Sequence, residues 1–441
     1  MQIKDIYNQT VDLFNQKVDI DIIESSSLKC LIKSSFEKSN SYSPNTNNDD
    51  DDYNSLISIY NEVNSKTYQI INSVKSDWKQ LDIIYRDIYS YSSILISYYS
   101  LAQQSSSSLS IEDYLLSLYT SNNNNSSNSN IIQSIISKLD YSLVFGGNLF
   151  YKLIIQFIDC LTVYVDQQLS FSSTNININY NNSNNNSNNN NDQFNLHLNI
   201  NKSNEIERVE LPSLQLFQSK YMNVGRPVII KQSMQHWPAI TTRPWRNLDY
   251  LKSVAGLRTV PIEIGSTYLD DKWTQQLMTI NQFIDNHIIN NSNNSSNSKR
   301  EIGYLAQTRL FEQITKLRND IVIPDYCFLS NSNSNNNQDQ DQDSDPIINA
   351  WFGPSGTTTP LHFDRYNNLL CQVVGSKYIR LYSADQSHLL YPYENDILSN
   401  TSRINIESVD LNEFPKYKDT NYFECILNEG EALYIPPRKL I

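Results

Sequence analysis

Cysteine is scarce in these 441 residues, and so are cationic clusters and long apolar runs. The five cysteines (Cys30, Cys160, Cys327, Cys371 and Cys425) are odd in number, scattered and never in C-x-x-C. That excludes a disulfide framework or a cysteine zinc site and points to free thiols in a reducing compartment. Lys and Arg number 34 against 47 Asp and Glu, a formal charge of -13. Such a chain is not built to coat nucleic acid, and it suits a basic peptide or protein as partner. The N-terminus "MQIKDIYNQT" has no apolar core of a secretory signal. The most apolar stretch, 143–165, carries Asn148, Lys152, Gln156 and Asp159. That is too polar for a membrane span and reads as one buried helix. These absences leave a cytosolic or nuclear protein with no membrane segment and no direct nucleic-acid contact.

The length suits two or three domains, and the composition divides it. Residues 1–170 show apolar spacing of helical period, clearest through Trp78, Leu81, Tyr85, Ile88, Ser92, Leu95 and Tyr99. Polar tracts at 40–52 and 120–130 read as solvated loops within this helical region. It has no Gly-rich loop, triad or metal spacing, so it reads as a module for binding a protein partner. Residues 171–204, with "NNSNNNSNNNN", read as a disordered linker. From 205 to 441 short β-rich runs such as "PVIIKQ", "RTVPIEIG", "INAWFG", "LLCQVVG" and "KYIRLYS" alternate with turn residues. They predict a sandwich or barrel with a few helices around it, an α+β chain taken whole. Low-complexity insertions at about 290–298 and 331–345 read as rim loops. The second ends in "QDQDQDSD", a solvated acidic run that would also attract a cationic substrate.

One phrase carries chemistry. In "PLHFDRYNNLLCQVVGSKYIRLY", His362 and Asp364 stand two apart, so on a strand they share a face. Together they are two thirds of the 2-His-1-carboxylate triad that holds non-haem Fe(II). Alone the triplet is a weak signal. Lys377 strengthens it, a cation inside an apolar run that must either reach water or meet an anion. A dicarboxylic cosubstrate would be that anion. Thr359 and Asn368 flank the pair and can donate hydrogen bonds to carboxylate oxygens.

These residues lie in "INAWFGPSGTTTPLHFDRYNNLLCQVVGSKYIRLYS", which resembles the core of the Jumonji-C (JmjC) 2-oxoglutarate oxygenases. More narrowly the chain resembles the branch called lysine-specific demethylase 8 or jumonji-domain-containing protein 5. The resemblance extends through "GRPVIIKQSMQHWPA", "RTVPIEIGSTYLDDKWTQQLMTINQFI", "GYLAQTRLFEQI" and "CILNEGEALYIP", nearly continuous from about 205 to 437. It implies a double-stranded β-helix (cupin-like) with iron at its mouth, using Fe(II), 2-oxoglutarate and O2. His362 and Asp364 match the first two metal ligands. Lys377 and Tyr304 match the contacts to the distal carboxylate of 2-oxoglutarate, and Thr359 and Asn368 other cosubstrate contacts. Glu263 and Trp273 match a pocket for an arginine side chain, which suits a carboxylate that accepts paired N–H bonds and an indole that stacks on a guanidinium. Gln307 and Trp351 are weaker candidates for the same pocket, with core packing the other reading of Trp351.

The second histidine of the family follows an Ile-Pro phrase, here "ALYIPPRKLI". Aligning Ile435-Pro436 puts Ile441 at the ligand position. His197, His236, His287 and His388 all lie elsewhere. The resemblance therefore implies a JmjC domain truncated before its last ligand, with its closing strands missing. The expected activity is oxygenation of a protein side chain, arginine hydroxylation first. The alternatives are histone N-methyl-lysine demethylation, or an interaction protein with catalysis impaired.

Overall fold

A computed structural model describes residues 2–41, 50–73, 81–105, 109–120, 126–174, 200–265, 273–289, 302–329, 345–394, 398–439 and 441. Trp78, the low-complexity insertions apart from Asp345, and most of the linker lie outside them. The chain divides into two units, 1–183 with Leu257–Val260, and 184–256 with 261–441.

The first unit is helical: α1 (Ile3–Lys17), α2 (Ser26–Ser41), α3 (Asp50–Ser73), α4 (Ile83–Gln104), α5 (Ile111–Thr120), α6 (Ser126–Phe145) and α7 (Tyr151–Thr174). Asp82 starts α4 by accepting from the Ile84 N–H. The expected apolar face of α4 is there, with Ile88, Ser92, Leu95 and Tyr99 buried, but nearly every residue from Asp87 to Tyr99 is buried as well. Helix α4 is therefore a central helix. Its serines make that possible by returning their hydroxyls to its own carbonyls, as Ser93 does to Tyr89 (2.9 Å) and Ser97 to Ser93 (2.7 Å). Asn64 of α3 donates to Ser92 and Ser93 at 2.9 and 2.8 Å.

The single buried helix expected over 143–165 is instead two. Gly146 and Gly147 sit against α4 so closely that a Cβ would lie 1.9 Å from Ser90 Oγ and 1.9 Å from Asp87 Oδ1. Close approach of backbone to helix ends α6 there, and α7 begins at Tyr151. The polar tracts are also shorter than expected, since Asp50–Asp52 begin α3 and Ser126–Asn130 begin α6. Arg258 makes a buried ion pair with Asp140 in this unit, through Nε at 3.0 Å and Nη2 at 2.7 Å.

The second unit holds β1 (Arg208–Glu210), β2 (Val228–Lys231), β3 (Thr259–Ile264) from Pro261 onward, β4 (Thr274–Thr279), β5 (Gly303–Thr308), β6 (Ala350–Phe352), β7 (Asn368–Cys371), β8 (Ser376–Tyr382), β9 (Tyr422–Asn428) and β10 (Ala432–Ile435). They form sheets ordered β1-β2-β10-β7, β4-β3-β5-β6 and β8-β9. One core joins Ile229, Leu433, Ile435 and Leu370 of the first sheet to Ile379, Leu381, Cys425 and Leu427 of the β8-β9 pair. A second core covers the other face of the first sheet, where Val228, Ile230 and Tyr434 meet Phe217, Tyr221 and Met222. Strands β2 and β10 are thus buried on both sides, which is why they read as unbroken apolar runs rather than alternations.

Two expectations need correction here. The linker does not run free to 204, because Glu424 N–H donates to Asn204 O (2.8 Å) and Ile206 N–H to Glu424 O (3.1 Å) beside β9. The closing region is also partly built. Strand β10 lies between β2 and β7, and beyond it Arg438 and Ile441 bond through their backbone to Asp364 and His362.

Candidate active site

His362 lies on an extended segment bridged to Thr401. On its other side His362 and Ile441 exchange both backbone hydrogen bonds, His362 N to Ile441 O at 3.1 Å and Ile441 N to His362 O at 2.7 Å. Residues that exchange both bonds stand directly opposite and project to the same face. Ile441 packs against the interior core of Ile379, Leu381 and Ile435. Farther along, Arg438 N–H donates to Asp364 O at 2.7 Å, with Arg438 in the left-handed region at φ +59°. His362 Nδ1 lies 2.9 Å from Pro360 O, which holds the ring when that nitrogen carries the proton and leaves Nε2 as the free donor atom.

Lys377 shares the inward face of β8 with Ile379 and Leu381. Burial lowers its pKa from the ordinary lysine value. Its Nζ lies 3.3 Å from Tyr304 Oη and 5.7 Å from the centre of that ring. Among the described residues no carboxylate is within ion-pair distance of it. The Tyr304 hydroxyl, pushed up to about 12 by burial, is also hydrogen-bonded to Thr359. Asn368 opens β7 directly across from Ile435, one alternation from the inward-facing Leu370.

Glu263 of β3 stands directly opposite Tyr304 of β5. Half-buried, it has its pKa raised by loss of water, while a hydrogen bond from Trp273 acts against the rise. Gly265, at φ +135°, turns the chain so that Trp273 returns to it, with Trp273 Cα 3.4 Å from where a Cβ would sit. The structure therefore brings Glu263, Trp273, Tyr304, Thr359 and Lys377 into one contiguous set. Gln307 is exposed, at φ +43°, on a bulge where the β5–β6 register shifts between Leu305 and Thr308. Trp351 is 41% exposed on β6, which answers the core-packing reading of that residue in the negative.

Residues 213–439 match a family profile described as a cupin-like domain. JmjC domain-containing protein D of Dictyostelium discoideum is 43% identical over 389 residues, 88% of this chain and 83% of that protein. The chain belongs to the cupin-like JmjC family. Lysine-specific demethylase 8 of Danio rerio is 46% identical over 234 residues, 53% of this chain and 54% of that protein. Lysine-specific demethylase JMJ30 of Arabidopsis thaliana is 47% identical over 226 residues, 51% of this chain and 48% of that protein. The chain thus spans about half the length of these two relatives.

JmjC proteins of this kind are 2-oxoglutarate-dependent oxygenases and demethylases, and the helical region followed by a cupin-like sheet domain is the architecture found here. The half-buried lysine, with a tyrosine hydroxyl beside it and among the described residues no carboxylate partner, fits a JmjC cosubstrate. The metal set fits only in part. Among the described residues no group of three His, Cys, Asp or Glu could hold a metal ion. His362 and Asp364 are two donors, and the residue facing His362 is Ile441. Sequence reasoning did not find Gly353, which lies against Tyr304. No local signal marks it, because its place beside Tyr304 depends on the β5–β6 register.

Proposed function

We propose that the β unit binds 2-oxoglutarate and presents a protein arginine side chain for oxygenation. The observation that carries the arginine reading is the Glu263–Trp273 pair beside Tyr304. A half-buried carboxylate and an indole match a guanidinium, which offers parallel donors and a flat cationic face. A methylated lysine ammonium uses neither geometry as fully. Lys377 and the Tyr304 hydroxyl would hold the distal carboxylate of 2-oxoglutarate, with Thr359 and Asn368 as further donors. That contact restores a counter-charge to a cation held away from water. His362 and Asp364 would hold Fe(II), which together with 2-oxoglutarate and O2 supplies the family's oxidation of a C–H bond. The exposed Trp351 and Gln307 would contact the substrate chain.

A second reading is favoured by the Ile441–His362 pair: the unit binds cosubstrate and peptide without turning them over. Both readings meet in one experiment. The chain is supplied with Fe(II), 2-oxoglutarate and an arginine peptide, and the peptide is read by mass spectrometry. Gain of one oxygen on arginine, lost in Glu263→Ala with 2-oxoglutarate binding intact, is the result expected of the first reading. Formaldehyde released from a methyl-lysine peptide, with arginine unchanged, would replace it by demethylation. Binding of both ligands with no product supports the second reading. In that case Ile441→His, whose side chain would share the His362 face, is expected to gain Co(II) binding with visible d–d absorption.

A further inference from the structure

We infer that Gly353 is a positioning residue that assigns Tyr304 to the lysine side of the site and leaves Glu263 to the substrate side. Leu305 pairs with Phe352, so the register one residue on sets Gly353 opposite Tyr304. Across its other edge Tyr304 faces Glu263. The tyrosine is therefore the middle member of a cross-strand row, with a carboxylate on one flank and a bare glycine on the other. Its ring lies over the glycine. A Cβ at 353 would sit 2.6 Å from Tyr304 Cδ2, 3.3 Å from Cε2 and 2.9 Å from Thr357 Cγ2.

Contacts that short do not occur between real atoms, so any side chain at 353 displaces the ring. The flank away from the glycine is the one that Glu263 occupies. Displacement would draw the hydroxyl from Lys377 Nζ, now 3.3 Å away, and from Thr359. It would also crowd the carboxylate that Trp273 reaches. Gly353 is not one of the glycines at positive φ. An alanine there needs no left-handed backbone, and its effect reports the contacts with the Tyr304 ring and the Thr357 methyl.

The inference deepens the reading of Lys377 and Tyr304 as a dicarboxylate site, and its test is arranged to separate the two. 2-Oxoglutarate is titrated into the full chain carrying Gly353→Ala, Tyr304→Ala or both. The expected result is that Gly353→Ala binds about tenfold more weakly than the parent, the size of a contact-level coupling. Adding it to Tyr304→Ala should change little further, because the obstructed ring is gone and only the Thr357 contact remains. Unchanged binding in Gly353→Ala, or an equal loss in both backgrounds, would overturn the inference.

If the parent itself does not bind 2-oxoglutarate, the dicarboxylate reading fails and the positioning role is judged without ligand. With 3-fluorotyrosine at position 304, its fluorine resonance should respond to Lys377→Met in the parent and not in Gly353→Ala. An equal response in both would contradict the role. Should Gly353→Ala fail to fold, the double variant is expected to fold, and its failure too would place the glycine's importance elsewhere.

Discussion

In the helical unit the Asp140 carboxylate is wholly buried and is met by the Arg258 guanidinium and the Thr259 N–H, at 2.7–3.2 Å. In the β unit Lys377 is withdrawn from water against Ile379 and Leu381, and a tyrosine hydroxyl 3.3 Å away is what meets it. Both are ions inside a protein, and water would hold either more favourably than an apolar interior does. The first has its counter-ion built into the fold. The second has a hydroxyl beside it but among the described residues no carboxylate within ion-pair distance, and burial lowers its pKa. An ion with its partner in place is architecture; one without a partner is what the proposed 2-oxoglutarate contact would complete.

The largest effect should come from breaking the satisfied pair. Asp140→Ala leaves the guanidinium buried and unpaired, and it should cost roughly 3–5 kcal/mol of stability in denaturant unfolding. Next is the other half of the comparison. Lys377→Met removes a strained cation, so stability should hold or rise while affinity for 2-oxoglutarate falls by roughly two orders of magnitude or more. If the two substitutions destabilise alike, the distinction between them fails.

A smaller effect sharpens the comparison through pH. Burial raises the Glu263 pKa above the ordinary value of 4.5. Between that value and the raised one the native state binds more protons than the unfolded chain, so this group's contribution to stability declines as pH rises through the window. Arginine binding needs the carboxylate and should strengthen over the same window. An arginine-peptide titration and an unfolding series across pH 4 to 7 should therefore move in opposite directions, and both trends should vanish in Glu263→Gln.

Much of the β unit was legible along the chain because its signals are local. Strands β2 and β10 are short apolar runs, and His362 and Asp364 declare a shared face by spacing alone. Lys377 stood out as a cation among apolar neighbours. What could not be read locally was register. That Tyr304 stands between Glu263 and Gly353 depends on strands joined through a long insertion and a bulge at Gln307. The pairing of Ile441 with His362 is likewise a fact of distant backbone. In the helical unit the misleading residues were Ser92, Ser93 and Ser97, polar by composition yet buried, with their hydroxyls bonded to carbonyls of their own helix. A hydroxyl that bonds its own helix presents little polarity to its neighbours, so a one-faced pattern concealed a central helix. Gly146 and Gly147 misled in the other direction, ending a helix inside an apolar run.

The most direct measurement is calorimetric titration of 2-oxoglutarate into the full chain, run in parallel with Lys377→Met and with glutarate as a ligand that keeps both carboxylates but lacks the keto group. The account predicts saturable binding of both dicarboxylates to the parent, and loss of both in Lys377→Met with the fold intact. Equal binding by the parent and Lys377→Met would contradict it, because the half-buried lysine would then have no part in recognising the anion.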